Sequence, residues 1–205
     1  MPVTHMLESA VNAFGIRTGE TPKYEVVLED GELEIRRYAA FLRAKTFAAG
    51  DYIASSEAGF KRLEAFICGH NSGNTRLDPP NSSTASHLRG EHIAMTTPVF
   101  QAPLEGGWMT AFILPVKYTF STAPKPLDPT IELEQLPPQT MAVLRYSGSV
   151  DEDRIQRKFR ELRGWVQSIG WRSISEPLAA QYDPPFTIPF LKRNEVHVRA
   201  EPLHS

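Results

Sequence analysis

Apolar and polar residues alternate through KYEVVLEDGELEIRRYAAFLRAKTFAA (23–49), the pattern of half-buried strands. Leu33 and Ile35 alternate with charged neighbours. Asp30-Gly31 predicts a two-residue hairpin turn, because both central positions of such a turn call for positive φ. A third strand is expected from Phe41 to Ala48, ending at Gly50. The period then becomes helical over about Tyr52 to Cys68, with Asp51 as N-cap and Gly69 as stop. Its apolar residues Phe60, Leu63 and Ile67 share one face, with Phe66 beside them.

A long polar loop over 72–90 leads to expected strands at Ile93 to Gln101 and Trp108 to Pro115. IELEQL and TMAVLRYSG are expected to pair as a hairpin around Pro137-Pro138. A second helix opens with Ser149 and Glu152 at capping-box spacing and carries Ile155, Phe159, Leu162, Val166 and Ile169 on one face. Gly170 ends it, and two last strands follow at about Leu178 to Tyr182 and Asn194 to Arg199, separated by DPPFTIPF. The two halves share one order of elements. AAGDY precedes the first helix as YSGSV precedes the second, and FKRLEAFI aligns with FRELRGWV. The expected fold is α+β: a duplicated β-β-α-β-β-like unit forming a distorted antiparallel β-barrel flanked by two long α-helices. Residues 1–20 read as a short helix (about Met6 to Phe14) and linker, 21–200 as the domain and 201–205 as a tail.

Composition narrows the function. A net charge of -2 without a basic stripe argues against a nucleic-acid partner. No eighteen-residue apolar run predicts a membrane span. The first residues lack a positive n-region, and Glu8 and Asn12 interrupt their apolar run, so no secretory signal is expected and cytoplasm is the default. The single cysteine, Cys68, excludes an intrachain disulfide and covalent CxxCH haem attachment. It reads as a small buried hydrophobe at a helix end. No G-x-S-x-G, H-E-x-x-H or P-loop appears, so no enzyme is expected.

Several collinear stretches resemble the SOUL haem-binding protein family: PKYEVV and ELEIRRY within 22–38, FKRLEAFICGHN (60–71), HIAMTTPVF (92–100), FILP (112–115), RYSG (145–148) and YDPPFTIPFLKRNEVHV (182–198). The resemblance covers about residues 20 to 200 and implies the same duplicated architecture. It also implies non-enzymatic, non-covalent binding of haem or another tetrapyrrole, for transport, buffering or sequestration. The implied site is a shallow apolar groove on the first long helix near the loop joining the last two strands. In this chain that comprises Phe60, Arg62, Leu63 and Ile67, with Phe186, Ile188, Phe190, Lys192 and Arg193. The family's namesake places an axial histidine just before the tyrosine of ELEIRRY; Arg37 stands there, so that ligand is absent. The loop over 72–90 is longer than the family's usual one.

A tetrapyrrole needs a flat apolar slot and cations for its propionates, with an axial ligand optional. Phe60, Leu63 and Ile67 fit a slot wall and equally a packing face. Phe186, Ile188 and Phe190 fall in a Pro-flanked loop, where apolar residues mark an interaction surface. Arg62, Lys192 and Arg193 could hold carboxylates, or stand as solvated or edge-strand charges. Among the histidines, His87 and His92 are the minor candidates for iron. Strand alternation would point His92 outward and Met95 into the core. His197 shares a polar strand face with Glu195 and Arg199, His70 suits a helix terminus, and His5 and His204 lie in the tails. Rival readings are a binder of other amphipathic or cationic small molecules, drawing on Glu57 and Glu64, and a protein-interaction module using the late apolar loop. Monomer and weak homodimer both remain open.

Overall fold

The computed structural model describes residues 19–73, 90–184 and 186–203. The expected N-terminal helix, His5, His87, His204 and most of the 72–90 loop lie outside these residues. The chain begins with β1 (Tyr24–Asp30), β2 (Leu33–Tyr38) and β3 (Phe41–Ala49). Helix α1 (Tyr52–Ile67) follows, then the short β4 (Asn71–Ser72), β5 (Val99–Leu104) and β6 (Gly107–Ile113). The second half has the short β7 (Lys125–Pro126), β8 (Ile131–Leu136), β9 (Gln139–Tyr146) and α2 (Glu152–Ser168). It ends with β10 (Trp171–Ser173), β11 (Leu178–Gln181), a 3-10 turn at Pro189–Leu191 and β12 (Asn194–Pro202).

Ten strands form one antiparallel sheet in the order β1-β2-β9-β12-β11-β5-β6-β3-β8, with β10 added beside β12. Exchanging β2, β3, β5 and β6 with β8, β9, β11 and β12 reverses the order of these eight strands and leaves it unchanged. The internal repeat is therefore a pseudo-two-fold axis, passing between β5 and β11 where Phe100 faces Ala180. The turns before the helices match as well. Gly50 (φ 120°) gives its N–H to the Gly106 carbonyl in the β5–β6 turn, and Gly148 (φ 104°) gives its own to Pro189 in the β11–β12 loop.

The hairpin expected between β8 and β9 does not form. β8 pairs with β3, and β9 pairs with β2 and β12. Pro137 and Pro138 lack N–H groups and favour extended backbone, so the chain bends there and does not reverse. Register is kept across the bend: Tyr38 faces Gln139, and three residues on Phe41 faces Leu136. This long bent ribbon curls the sheet into a distorted barrel-like form without a closed ring of hydrogen bonds.

Smaller differences have local causes. The β1–β2 turn is centred on Gly31 and Glu32, one residue later than expected, because Gly31 (φ 64°) takes the first central position. Asp151, in extended backbone, caps α2 in place of the expected Ser149, its carboxylate accepting the Arg154 N–H at 2.8 Å. Pro98 has no N–H to give a ladder, so β5 starts at Val99 and His92 to Met95 lie outside any strand. Met95, expected in the core, is 38% exposed. Cys68 caps α1 and is exposed.

Each helix covers one half of the convex face. Leu63, Phe66 and Ile67 of α1 pack with Leu42, Ala44 and Phe112. Ile155, Phe159, Leu162 and Val166 of α2 pack with Ile35, Leu144 and Val198. Phe100, Met109, Ile113, Met141 and Val143 are buried on the concave face as the sheet curls. Helix α1 lies close enough to β6 that a Cβ on Gly59 would meet Thr110 Oγ1 at 2.6 Å, whereas one on Gly164 of α2 would meet nothing. Gly59→Ala is therefore expected to destabilise the protein by about 1–3 kcal/mol, overriding the better helix propensity of Ala. Gly164→Ala should stabilise it by about 0.5–1 kcal/mol. Urea denaturation midpoints that shift in the same direction would contradict this packing.

Candidate functional site

The concave face holds a buried cluster of charges. Even-numbered residues of β2 and odd-numbered residues of β12 point into it, bringing Glu34, Arg36 and Tyr38 to Glu195 and His197. The β11–β12 loop adds Tyr182 and Arg193. Oε1 of Glu195 accepts from Arg36 Nη2 at 3.2 Å and from Arg193 Nε and Nη2 at 2.9 and 2.6 Å. Oε2 accepts from Arg36 Nη1 at 2.9 Å, Tyr182 Oη at 2.8 Å and His197 Nε2 at 2.8 Å. Arg36 also gives Nε to Glu34 at 2.6 Å and lies over the Tyr24 ring, 4.4 Å from its centroid.

Glu195, Arg36 and His197 are buried, so their protonation follows from a contest between burial and bonding. Burial raises the Glu195 carboxyl, but the bonds from His197 and Arg36 outweigh it and hold the group well below its ordinary value. Burial lowers Arg36, and its bonds to Glu34 and Glu195 more than reverse that. For His197 burial wins over Glu195, so the imidazole is held below its ordinary value and donates from Nε2 as a neutral ring. Burial raises the phenols of Tyr38 and Tyr182. With both Glu195 oxygens engaged by six donors, the cluster acts as a structural tie.

This cluster is what strand alternation misread. His197 and Glu195 look like a polar outer face, yet β12 is a central strand covered on both sides. The available signal was the complementary charge of Arg36 and Glu195 on two strands that each carry buried apolar residues on the other face.

The residues expected around a tetrapyrrole divide into three groups. Leu63 and Ile67 are core, buried under α1, and cannot wall a surface groove. Phe60 is 37% exposed with its ring edge-on to Phe112, and Arg62 donates Nη1 to the Phe47 carbonyl at 2.8 Å. The second group is turned inward: Arg193 binds Glu195 and stacks 4.2 Å over Tyr182, so it is not a surface cation. The third is the late loop. Phe186 and Phe190 are 59% and 73% exposed, and Ile188 is partly exposed beside them. Lys192, half-buried, follows the 3-10 turn. The loop is preformed: Leu191 N bonds Ile188 O at 2.9 Å, and Pro189 O takes the N–H groups of Lys192 and Gly148. Asn194 Nδ2 adds a bond to Gly148 O at 2.9 Å. These bonds seat the loop at the entrance of α2, where Arg154 Nη2 holds the Ser147 carbonyl at 2.7 Å; that arginine drew no attention in the sequence.

His92 is exposed, and Arg37 pairs with Glu25 at 3.0 Å on the surface. Glu57 is bonded to Lys61 at 2.8 Å. Among the described residues no group of three or more His, Cys, Asp or Glu side chains is placed to hold a metal ion, and no helix is long and apolar enough to cross a membrane. Two clefts share Tyr38 as a wall. One, with a cavity volume of about 40 Å³, is lined by Thr21, Pro22, Tyr24, Tyr38, Tyr182 and Arg193. The other, of about 10 Å³, lies among Phe41, Phe100, Leu136, Met141, Leu178 and His197. Both are far smaller than the ~300–1,000 Å³ of pockets for drug-sized ligands, so a macrocycle fits neither.

Comparison with known proteins agrees with this geometry at the level of family and fold. The family model described as "SOUL heme-binding protein" matches residues 19–199. No curated protein matches the chain. Among solved structures, the crystal structure of the EcmrR C-terminal domain is 13% identical, covering 87% of this chain and 98% of that one with a TM-score of 0.57. The crystal structure of a hydrolase from Listeria innocua is 10% identical, covering 85% and 94% with a TM-score of 0.54. At such identities the likeness is one of fold alone.

Two measurements check the cluster. Glu195→Ala leaves Arg36 buried without its main partner and should cost about 3–5 kcal/mol in chemical denaturation; a loss below 1 kcal/mol would make the network incidental. The pH dependence has a definite sign. His197 is held below the ordinary 6.5 and Glu195 below the ordinary 4.5, so the unfolded chain takes up protons first as pH falls. Stability should be full above about pH 7 and decline below about 6.5, by at most ~1.4 kcal/mol per pH unit from one histidine. In His197→Gln the onset should move down toward the carboxylate range.

Proposed function

Since the chain belongs to the SOUL haem-binding protein family, we propose that it binds haem or a related tetrapyrrole reversibly at its surface, as a carrier or buffer and not as an enzyme. The observation that carries this reading is the late loop: Phe186, Ile188 and Phe190 present apolar area to solvent on a turn already locked by backbone hydrogen bonds. Large exposed apolar side chains held in place mark an interaction surface. Because the turn is preformed, little conformational entropy is lost when a flat ligand covers it. The ligand supplies an apolar face and two carboxylates. In this chain Phe186, Ile188 and Phe190 would take the face, with Phe60 a further candidate. Lys192 and Arg154 stand close in sequence or space to the loop and would meet the carboxylates. Arg193 is less suited, since it is turned inward onto the buried Glu195. The buried His197 is spent on Glu195, which favours binding through apolar contact with weak or no axial ligation.

Haemin added to the protein should give a saturable Soret shift near 1:1. His92→Ala should leave affinity unchanged, and Phe186→Ser with Phe190→Ser should weaken it at least tenfold, given ~1.5–3 kcal/mol per buried aromatic side chain. Haem uptake no greater than unspecific adsorption, or full affinity in the serine double variant, would overturn the reading.

A further inference from the structure

The large sheet has two free edges, β1 and β8, and they are built differently. Every residue of β1 is exposed, and among the described residues the strand pairs with β2 alone. Its outer side therefore offers a row of backbone N–H and C=O groups to a further strand. Proteins ordinarily blunt such an edge with Pro, Lys or a bulge. No Pro, Lys or Arg stands between 24 and 32. A bulge is present, since the register with β2 shifts between Val26 and Leu28. The extra residue, Val27, leaves apolar side chains on both faces of the edge: Val26 beside Arg36, and Leu28 beside Ile35. All three are 36–44% exposed. The other edge, β8, is bracketed by Pro129 and Pro137. Its carboxylates are already paired within the sheet, Glu134 with Arg43 at 2.6 Å and Glu132 with Lys45 at 3.4 Å.

The charges along β1 select its partner. Glu25, Glu29 and Asp30 lie on the strand and Glu32 in its turn, against Lys23 just before it. Glu25 meets Arg37 at 3.0 Å in a pair exposed on both sides, and Glu32 stands 3.7 Å from Arg145. Asp30 accepts from Trp165 Nε1, a neutral donor that leaves its charge uncompensated. A second copy of this chain is a poor occupant. Two β1 strands side by side would double these carboxylates along one seam, and β1 against β8 would add Glu132 and Glu134. Like charges facing each other across strands are destabilising.

We infer that the free edge of β1 is a docking site for an extended segment of another protein in which apolar and basic residues alternate, added to the sheet as a further strand. Main-chain hydrogen bonds would hold it, Val26, Val27 and Leu28 would meet its apolar side chains, and its cations would face Glu25, Glu29 and Asp30. The site shares no residue with the late loop, and the inference is independent of tetrapyrrole binding.

The probe is a blocked peptide as long as β1, seven residues alternating Lys and Val with Lys at both ends, titrated into the whole chain. One control carries Glu in place of each Lys. Another keeps the lysines and has Pro at the central Val. Amide NMR should show saturable 1:1 shifts centred on 24–30, with hydrogen exchange slowed at the alternate β1 amides that point outward. A loose ionic contact would not slow alternate amides. The Glu peptide should bind about tenfold more weakly because like charges then face each other, and the Pro peptide likewise because a ladder N–H is lost. Glu29→Lys should weaken the Lys/Val peptide about fivefold, the scale of one cross-strand charge pair. Equal binding of the Glu or Pro peptide, shifts that spare β1, or no saturable binding overturns the inference. So does slow exchange at the outward β1 amides before any peptide is added. If that protection rose with protein concentration, the edge would belong to a second copy; if it did not, to another part of this chain.

Discussion

Glu195 is the constraint around which the rest of the barrel is arranged. A carboxylate removed from water is costly unless every lone pair is engaged, and here six donors from β2, β12 and the late loop converge on two oxygens. The arrangement dictates register. A one-residue slip of β2 against β9 would carry Arg36 to the helix side of the sheet and leave Glu195 unmatched. Apolar contacts on the convex face tolerate exchange among similar side chains, whereas a hydrogen-bonded charge cluster has one solution. It also reaches outward: by engaging Arg193, Glu195 anchors the end of the loop whose tip presents Phe186 and Phe190.

The same tie separates two kinds of surface. Inside the mouth, tyrosine rings and donor groups enclose a small polar cleft. Outside, the late loop offers apolar area with no enclosure at all. Family membership does not choose between these two surfaces. The likeness to the EcmrR C-terminal domain, at 13% identity, adds nothing about ligands, because one fold can hold unrelated sites.

Much of the fold was legible in the chain because its local signals agree. The helices show three-to-four periodicity, Asp51 sits at a cap, and Gly50 and Gly148 occupy matching turns before them. The failures come from places where distant pairing decides. Two adjacent prolines looked like a reversal, but only partners elsewhere in the sheet show that β8 and β9 run on through a bend. Leu63 and Ile67 face inward with Phe66 as helix geometry allows, and no local feature distinguishes a wall of a groove from a floor of the core. The misreading of Glu195 and His197 has the same root: alternation reports two faces, and only the sheet order shows that β12 is covered on both sides where Glu195 and His197 stand.

The two matching turns at the helix entrances have unequal partners. Gly106, which receives the Gly50 N–H, belongs to the two-residue turn 105–106, while Pro189, which receives the Gly148 N–H, sits within the twelve-residue span 182–193. The anchor is common to both halves, and only its loop differs in length. A duplicated scaffold thus keeps one copy of a joint plain, as pure architecture, and leaves the other free to grow. New recognition can be built there by lengthening a loop whose foothold already exists, at no cost to the frame that carries it.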